Sequence, residues 1–256
     1  MTSGPQVGAA TAFVPALTAV YAATLARARA ARAALLFVAS LQSIGLIVLM
    51  RGIVSSEDQP EHAQLVAGAT ILVVAFVALN LLAQRIGALK ARGALDFYAA
   101  MPVPPAAVVL GLTAGYATFT FPGTVITAAV GIVMYDLPLT HVWVLVPAVV
   151  LAGAALAGVG AVIGLLMPRP ELATMAGQLG MTAVLFLDLV LADKFWLPFR
   201  VLRAAVPSTY AADALAAALT ESPDFSVITR GLGITAVIAA IALFAADRAW
   251  RHVMRP

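Results

Sequence analysis

The chain has 256 residues, 62% of them hydrophobic and 11% charged, with a net charge of +3. Soluble domains carry about 25% charged residues, so this chain has too little polar surface for water, and hydrocarbon is the solvent that suits it. The absence of cysteine excludes disulfides and thiolate chemistry, and the 15 basic residues form no aromatic-interleaved block of the kind that binds nucleic acid.

Residues 12–26 are apolar and uncharged but short for a crossing. Phe13, Leu17, Val20 and Tyr21 share one helical face, and Arg27, Arg29 and Arg32 close the stretch. The spacing predicts a helix over 12–31 lying along the membrane interface and turning into the first span. No basic residue precedes Arg27, so the positive leader of a secretory signal is missing here. Apolar spans follow at 33–50, 64–84, 106–134, 142–167, 173–192 and 225–246. Each is about as long as the ~20 residues a helix needs to cross hydrocarbon, or longer.

The connections carry the contrast. The first loop reads SSEDQPEH and the second RIGALKARGALDFYAAMPVPP. In the second, Leu95, Phe97, Tyr98 and Met101 form an apolar cluster on a predicted short helix over 94–101, with Asp96 near its start. Pro102, Pro104 and Pro105 end it. An exposed apolar knob on a rigid base suits docking into another protein, and a helix resting on lipid headgroups has the same composition. The third span would run about 43 Å, so it is expected to protrude, and Pro122-Gly123 inside it predicts a kink. Gly153, Ala157, Gly158, Gly160 and Gly164 predict tight helix packing in the fourth span. Segment 193–224, with Trp196, Pro198, Pro207 and Tyr210, holds two short apolar stretches at 198–205 and 208–220. Neither crosses a bilayer, so a hairpin dipping into the outer leaflet is expected, with Ser208 capping its second helix.

With the N-terminus inside, the inner side holds Arg27, Arg29, Arg32, Arg85, Lys90, Arg92, Arg169, Arg248, Arg251 and Arg255, ten of the 15 basic residues. This positive-inside pattern favours cytoplasmic termini. Only Asp188 and Arg230 are ionisable within the spans, and both lie near the outer ends, where a structural role is favoured. Ion-coupled carriers hold charge deeper than this. Gln42, Ser43, Asn80, Gln178 and Thr182 are deep polar residues, read singly as interhelical hydrogen-bond partners and together as candidates for a substrate path. His62, His141 and His252 are scattered, so no metal cluster is expected. No phosphate-binding G-x-x-x-x-G-K-[ST] or nucleophile elbow exists, and the lysines are Lys90 and Lys194 alone. Any energy source must be a partner.

Gly93-Ala94-Leu95-Asp96 followed by Met101-Pro102-Val103 resembles the G-T-L-E…P-V pattern in the first cytoplasmic loop of ABC-2 type (type-2 ABC exporter) permeases. Val206-Pro207-Ser208-Thr209-Tyr210-Ala211 is similar to the P-x-x-Y stretch before that family's last span. Ala94 and Asp96 stand where the family has threonine and glutamate. The resemblance implies a single domain over 1–256: an all-α polytopic membrane protein with six transmembrane helices, an N-terminal interfacial helix, a cytoplasmic coupling helix and re-entrant outer helices. It implies two permeases, each bound by an ABC ATPase subunit that holds ATP and magnesium, with no cofactor on this chain. Gly93, Leu95, Asp96, Phe97, Tyr98, Met101 and Pro102 would form the coupling contact. The expected role is export of a hydrophobic or amphipathic cargo across a bacterial cytoplasmic membrane. An ion-coupled carrier and a non-transporting assembly or sensing protein are the alternatives.

Overall fold

A computed structural model describes residues 13–27, 32–51, 59–95, 103–189, 203 and 206–253. Among these the chain is helical, with no strand. The helices are α1 (Phe13–Arg27), α2 (Arg32–Arg51), α3 (Gln59–Ala91), α4 (Pro105–Met134), α5 (Leu145–Leu166), α6 (Pro170–Leu189), α7 (Pro207–Ala218) and α8 (Phe225–Val253). A short 3-10 turn, Val142–Val144, leads into α5. Four helices are long and apolar enough to cross a membrane: Gln59–Ala91, Ala106–Met134, Val142–Leu166 and Phe225–Val253. The expected crossings at 33–50 and 173–192 correspond to α2 and α6, of 20 residues each.

Small residues set the spacing, as expected where hydrocarbon gives helices no hydrophobic reason to associate. Gly158 lies against Ala242 and Gly131 against Val66. These contacts fix directions. Val144 meets Ile228 near the starts of α5 and α8, and Gly158 meets Ala242 further along, so the two run side by side in one direction. Helix α3 follows α5 similarly, with Leu79 at Gly160 and Ile86 at Gly164.

The charges therefore sort to two ends. Arg85, Lys90, Arg92, Arg169, Arg248 and Arg251 gather where α3, α5 and α8 finish, with Glu171 and Asp247. Glu61, Asp136, Glu221 and Asp224 gather at the opposite end, together with Arg51 and Arg230. There Asp224 accepts hydrogen bonds from the Ser226 and Val227 amides at 2.9 and 3.3 Å and from the Ser226 hydroxyl, capping α8. Those bonds to the ionised form hold its carboxyl below the usual value. Tyr135 stacks on His62 at 4.4 Å and donates to the Ile47 carbonyl, and burial pushes its phenol up.

Several expectations change in detail. Contacts advance together along α1 and α4, with Val20 at Gly111 and Thr24 at Gly115, so α1 runs alongside α4. The surplus length of α4 is not free-standing: Ala107, Val108 and Val109 in its first turns are buried. Helix α4 continues through Pro122, although proline removes one backbone donor. Ser208 is not the cap of α7. Pro207, with its fixed φ, takes a first-turn position and Val206 becomes the cap residue, leaving the Ser208 hydroxyl buried without a partner. Helix α7 is buried over most of its circumference, at Ser208, Thr209, Ala211, Ala212, Ala214, Leu215, Ala216 and Ala218. It descends from Glu221 beside Gln59 to Asp213 beside Gln64 and Tyr210 beside Gly231, so its start lies inside the bundle.

Candidate functional site

Among the four long helices α3 is the most enclosed, with 89% of its apolar window buried against 28% for α8. Its middle is not α-helical. Ala75–Leu81 form a π-helical section, a feature concentrated at functional sites. Helices α5 and α6 approach this section through glycine. A Cβ at Gly160 would stand 2.6 Å from the Leu79 carbonyl oxygen, and one at Gly177 3.0 Å from Asn80 Oδ1. Asn80 is buried and accepts a hydrogen bond from Gln84 Nε2 at 2.9 Å.

Below this section α3 runs to the basic end. Lys90 Nζ donates to the carbonyls of Leu165 at 2.7 Å and Met167 at 3.2 Å. These groups finish α5, where a cation meets the negative end of the helix dipole. The lysine thus ties the ends of α3 and α5 together. Gly93 then stops α3: its φ is 65°, in the left-handed region, and its amide donates to the Lys90 carbonyl at 3.1 Å. Leu95 follows, 1% exposed and part of the main core, so it anchors the start of this segment and does not belong to an exposed knob as its sequence pattern suggests. An open groove of about 430 Å³ beside this end is walled by Arg85, Tyr116, Glu171 and Thr174.

Of the residues read as a coupling contact, Gly93 and Leu95 are placed here, while Asp96, Phe97, Tyr98, Met101 and Pro102 lie outside the described residues, as do Arg29, Trp196 and Pro198. Arg27 and Arg32 lie at helix ends, their side chains outside the description. Phe13 is exposed, Leu17 and Tyr21 half-buried, and the Tyr21 hydroxyl is 3.2 Å from Thr118 Oγ1. The deep polar residues divide. Asn80 meets α6 one residue before Gln178, and the Thr182 hydroxyl donates to the Gln178 carbonyl. Ser43 is buried without a partner, and the side chains of Gln42 and Gln178 are exposed. Pro207 and Tyr210 are half-buried at the inner start of α7.

A family model described as ABC-2 type transporter matches residues 15–220. The chain belongs to the ABC-2 type transporter family. A comparison with curated proteins gives no match. As an ABC-2 permease, the chain is a multi-pass membrane component of a transporter and not a catalyst by itself.

Two features of the ABC-2 chain escaped the sequence reading. The sequence places Lys90 only among the inner-side basic residues, because its carbonyl partners lie 75 and 77 residues away. Arg203 pairs with Asp213 through a short Nη2 contact and donates from Nε to the Leu187 carbonyl, and Gln64 Nε2 adds a second contact to Asp213. The available signal was Asp213 itself, a lone acid in the run AADALAAAL, since a charge in an apolar helix calls for a partner.

Proposed function

We propose that this chain is the permease subunit of an ATP-driven exporter in a bacterial cytoplasmic membrane, worked by a separate ABC ATPase subunit that binds ATP and magnesium. In this reading α2, α3, α4, α5, α6 and α8 cross the bilayer, α7 dips into the outer leaflet, and the basic end faces the cytoplasm. The ATPase docks on segment 94–101, with α1 nearby as a second contact.

One observation carries the proposal: the segment read as the docking contact follows directly in sequence on α3, the most enclosed of the four long helices. Nothing but Arg92 and Gly93 separates it from α3, and Lys90 links that end to α5. A displacement applied at this segment would enter α3 through the Arg92-Gly93 turn, and Lys90 would pass it on to the end of α5. ATP binding would favour one arrangement of these helices and hydrolysis the other.

A second copy of the chain would complete the pathway. Gln42 sits among exposed Leu41, Val48 and Leu49 on α2, and Gln178 among exposed Met175 and Leu179 on α6. An amide facing pure hydrocarbon is costly, so these two favour a polar path between copies. The otherwise apolar walls suit a hydrophobic or amphipathic cargo.

The test is co-purification with a co-expressed ABC ATPase subunit from the same genome. Phe97→Glu or Tyr98→Glu is expected to abolish capture of the ATPase while the permease still inserts and elutes as a single species. Full capture by both variants would remove the coupling assignment.

A further inference from the structure

Two clefts follow one another along α8, with Leu243 lining one and Phe244 the other. The upper, of about 440 Å³, lies between α1, α4, α5 and α8 and is lined by Leu17, Leu110, Ala117, Phe121, Val150 and Leu243 among others. Its threonines make no demand on a ligand. The Thr113 hydroxyl donates to the Val109 carbonyl at 3.0 Å and the Thr118 hydroxyl to that of Ala114 at 2.9 Å, both on their own helix. What remains is a hydrocarbon surface.

The lower cleft, of about 570 Å³, is lined among the described residues by Phe244, Asp247, Arg248, Arg251 and His252. Leu243, Asp247 and Arg251 are spaced i, i+4, i+8, so one stripe of α8 runs from the apolar cleft into the basic one. Arg248 is exposed, with its guanidinium 4.9 Å from the Phe244 ring centroid. Arg251 uses Nε to reach Asp247 Oδ2 at 2.7 Å and its side chain remains half exposed. Two arginines thus outweigh one carboxylate at the finishing turns of a membrane helix, with apolar Val237, Ile241 and Phe244 exposed above them.

We infer that this pair of clefts holds one anionic glycerophospholipid of the leaflet at the basic end. An acyl chain fills the apolar cleft, and the phosphodiester lies against Arg248 and Arg251. Charge selects the headgroup: arginine forks match phosphate oxygens, and basic pockets on helix ends take anionic lipid heads. Among the described residues neither cleft is lined by α2 or α6, which carry the amides proposed to line the cargo path, so the lipid is inferred to be a resident and not the load.

The experiment is lipid retention by the purified full chain, read by native mass spectrometry in detergent with dioleoyl phosphatidylglycerol or dioleoyl phosphatidylcholine added. The anionic lipid is expected to be retained in preference, and raising the salt should weaken it. Replacing both arginines, R248Q with R251Q, should weaken retention by about thirtyfold, at roughly fivefold for each arginine. Ala154→Phe, which fills the apolar cleft, should weaken both lipids without changing the preference, and it serves should the double variant not fold. Glycerophosphoglycerol and inorganic phosphate separate a lipid site from a free-anion site. Neither should displace the lipid at equal concentration, and displacement by either overturns the inference. So do equal retention of the two lipids, or unchanged retention in the arginine variant. Loss of ATPase capture in that variant with lipid retention intact would reassign the cluster to a protein contact.

Discussion

Gly93 adopts a φ of 65°, which L side chains reach only at a cost of about 1–2 kcal/mol. It turns the chain from α3 into the segment proposed to take the ATPase. Gly93→Ala should therefore lower the thermal midpoint of the purified permease, while Gly93→Asn, a residue tolerated in this conformation, should lose less. Equal midpoints for both variants and the wild type would mean the turn adapts without strain. The sequence marked Gly93 through its family resemblance, and the structure supplies the local reason, since a helix stop needs a residue without a Cβ. Lys90 was harder to read, because its value lies in carbonyls at the end of a distant helix. Ser208 was misread: a serine after a proline looks like a cap, but the proline's own preference for the first turn moves the cap one residue earlier.

The helices test how closely α3 can be approached. A methyl group at Gly160 would stand 2.6 Å from the Leu79 and 2.9 Å from the Ala78 carbonyl oxygen, both backbone atoms that cannot rotate away. At Gly45 on α2 nothing lies within 4 Å. Gly160→Ala should destabilise the bundle by about 1–3 kcal/mol, the usual cost of overpacking. Gly45→Ala should be neutral or stabilising by up to about 1 kcal/mol through helix propensity. Reversible unfolding in mixed micelles measures both, and the prediction fails should the two variants behave alike. The spacing of small residues in 153–164 made close packing legible from sequence, because glycine and alanine announce contact wherever they recur on a helix. The π section was not legible: AFVALNL reads as ordinary helix, and the winding depends on what α5 and α6 press against it. Helix α7 was legible in extent but not in depth. Its alanine-rich face gave a weak amphipathic signal, and only its contacts with α3 and α8 set its inner start.

Across the whole molecule the charge asymmetry read from loops becomes two physical ends, because α3, α5 and α8 finish together. The chain has no cysteine, so single substitutions report cleanly on sidedness. Asp136→Cys and Ser222→Cys should react with a membrane-impermeant maleimide in intact cells, and Arg92→Cys and Arg169→Cys only after permeabilisation. The reverse pattern would invert the orientation. One feature of this architecture sets how far a push can travel. The α3 rod is about 50 Å long at ordinary α-helical rise, but its looser π winding near the middle stores a fraction of a revolution. Rewinding those seven residues to α geometry would swivel everything beneath them, sweeping the Lys90 ammonium sideways off the α5 terminus. In the proposed coupling, such rewinding would turn axial thrust into torque, with the Lys90 contacts opposing it.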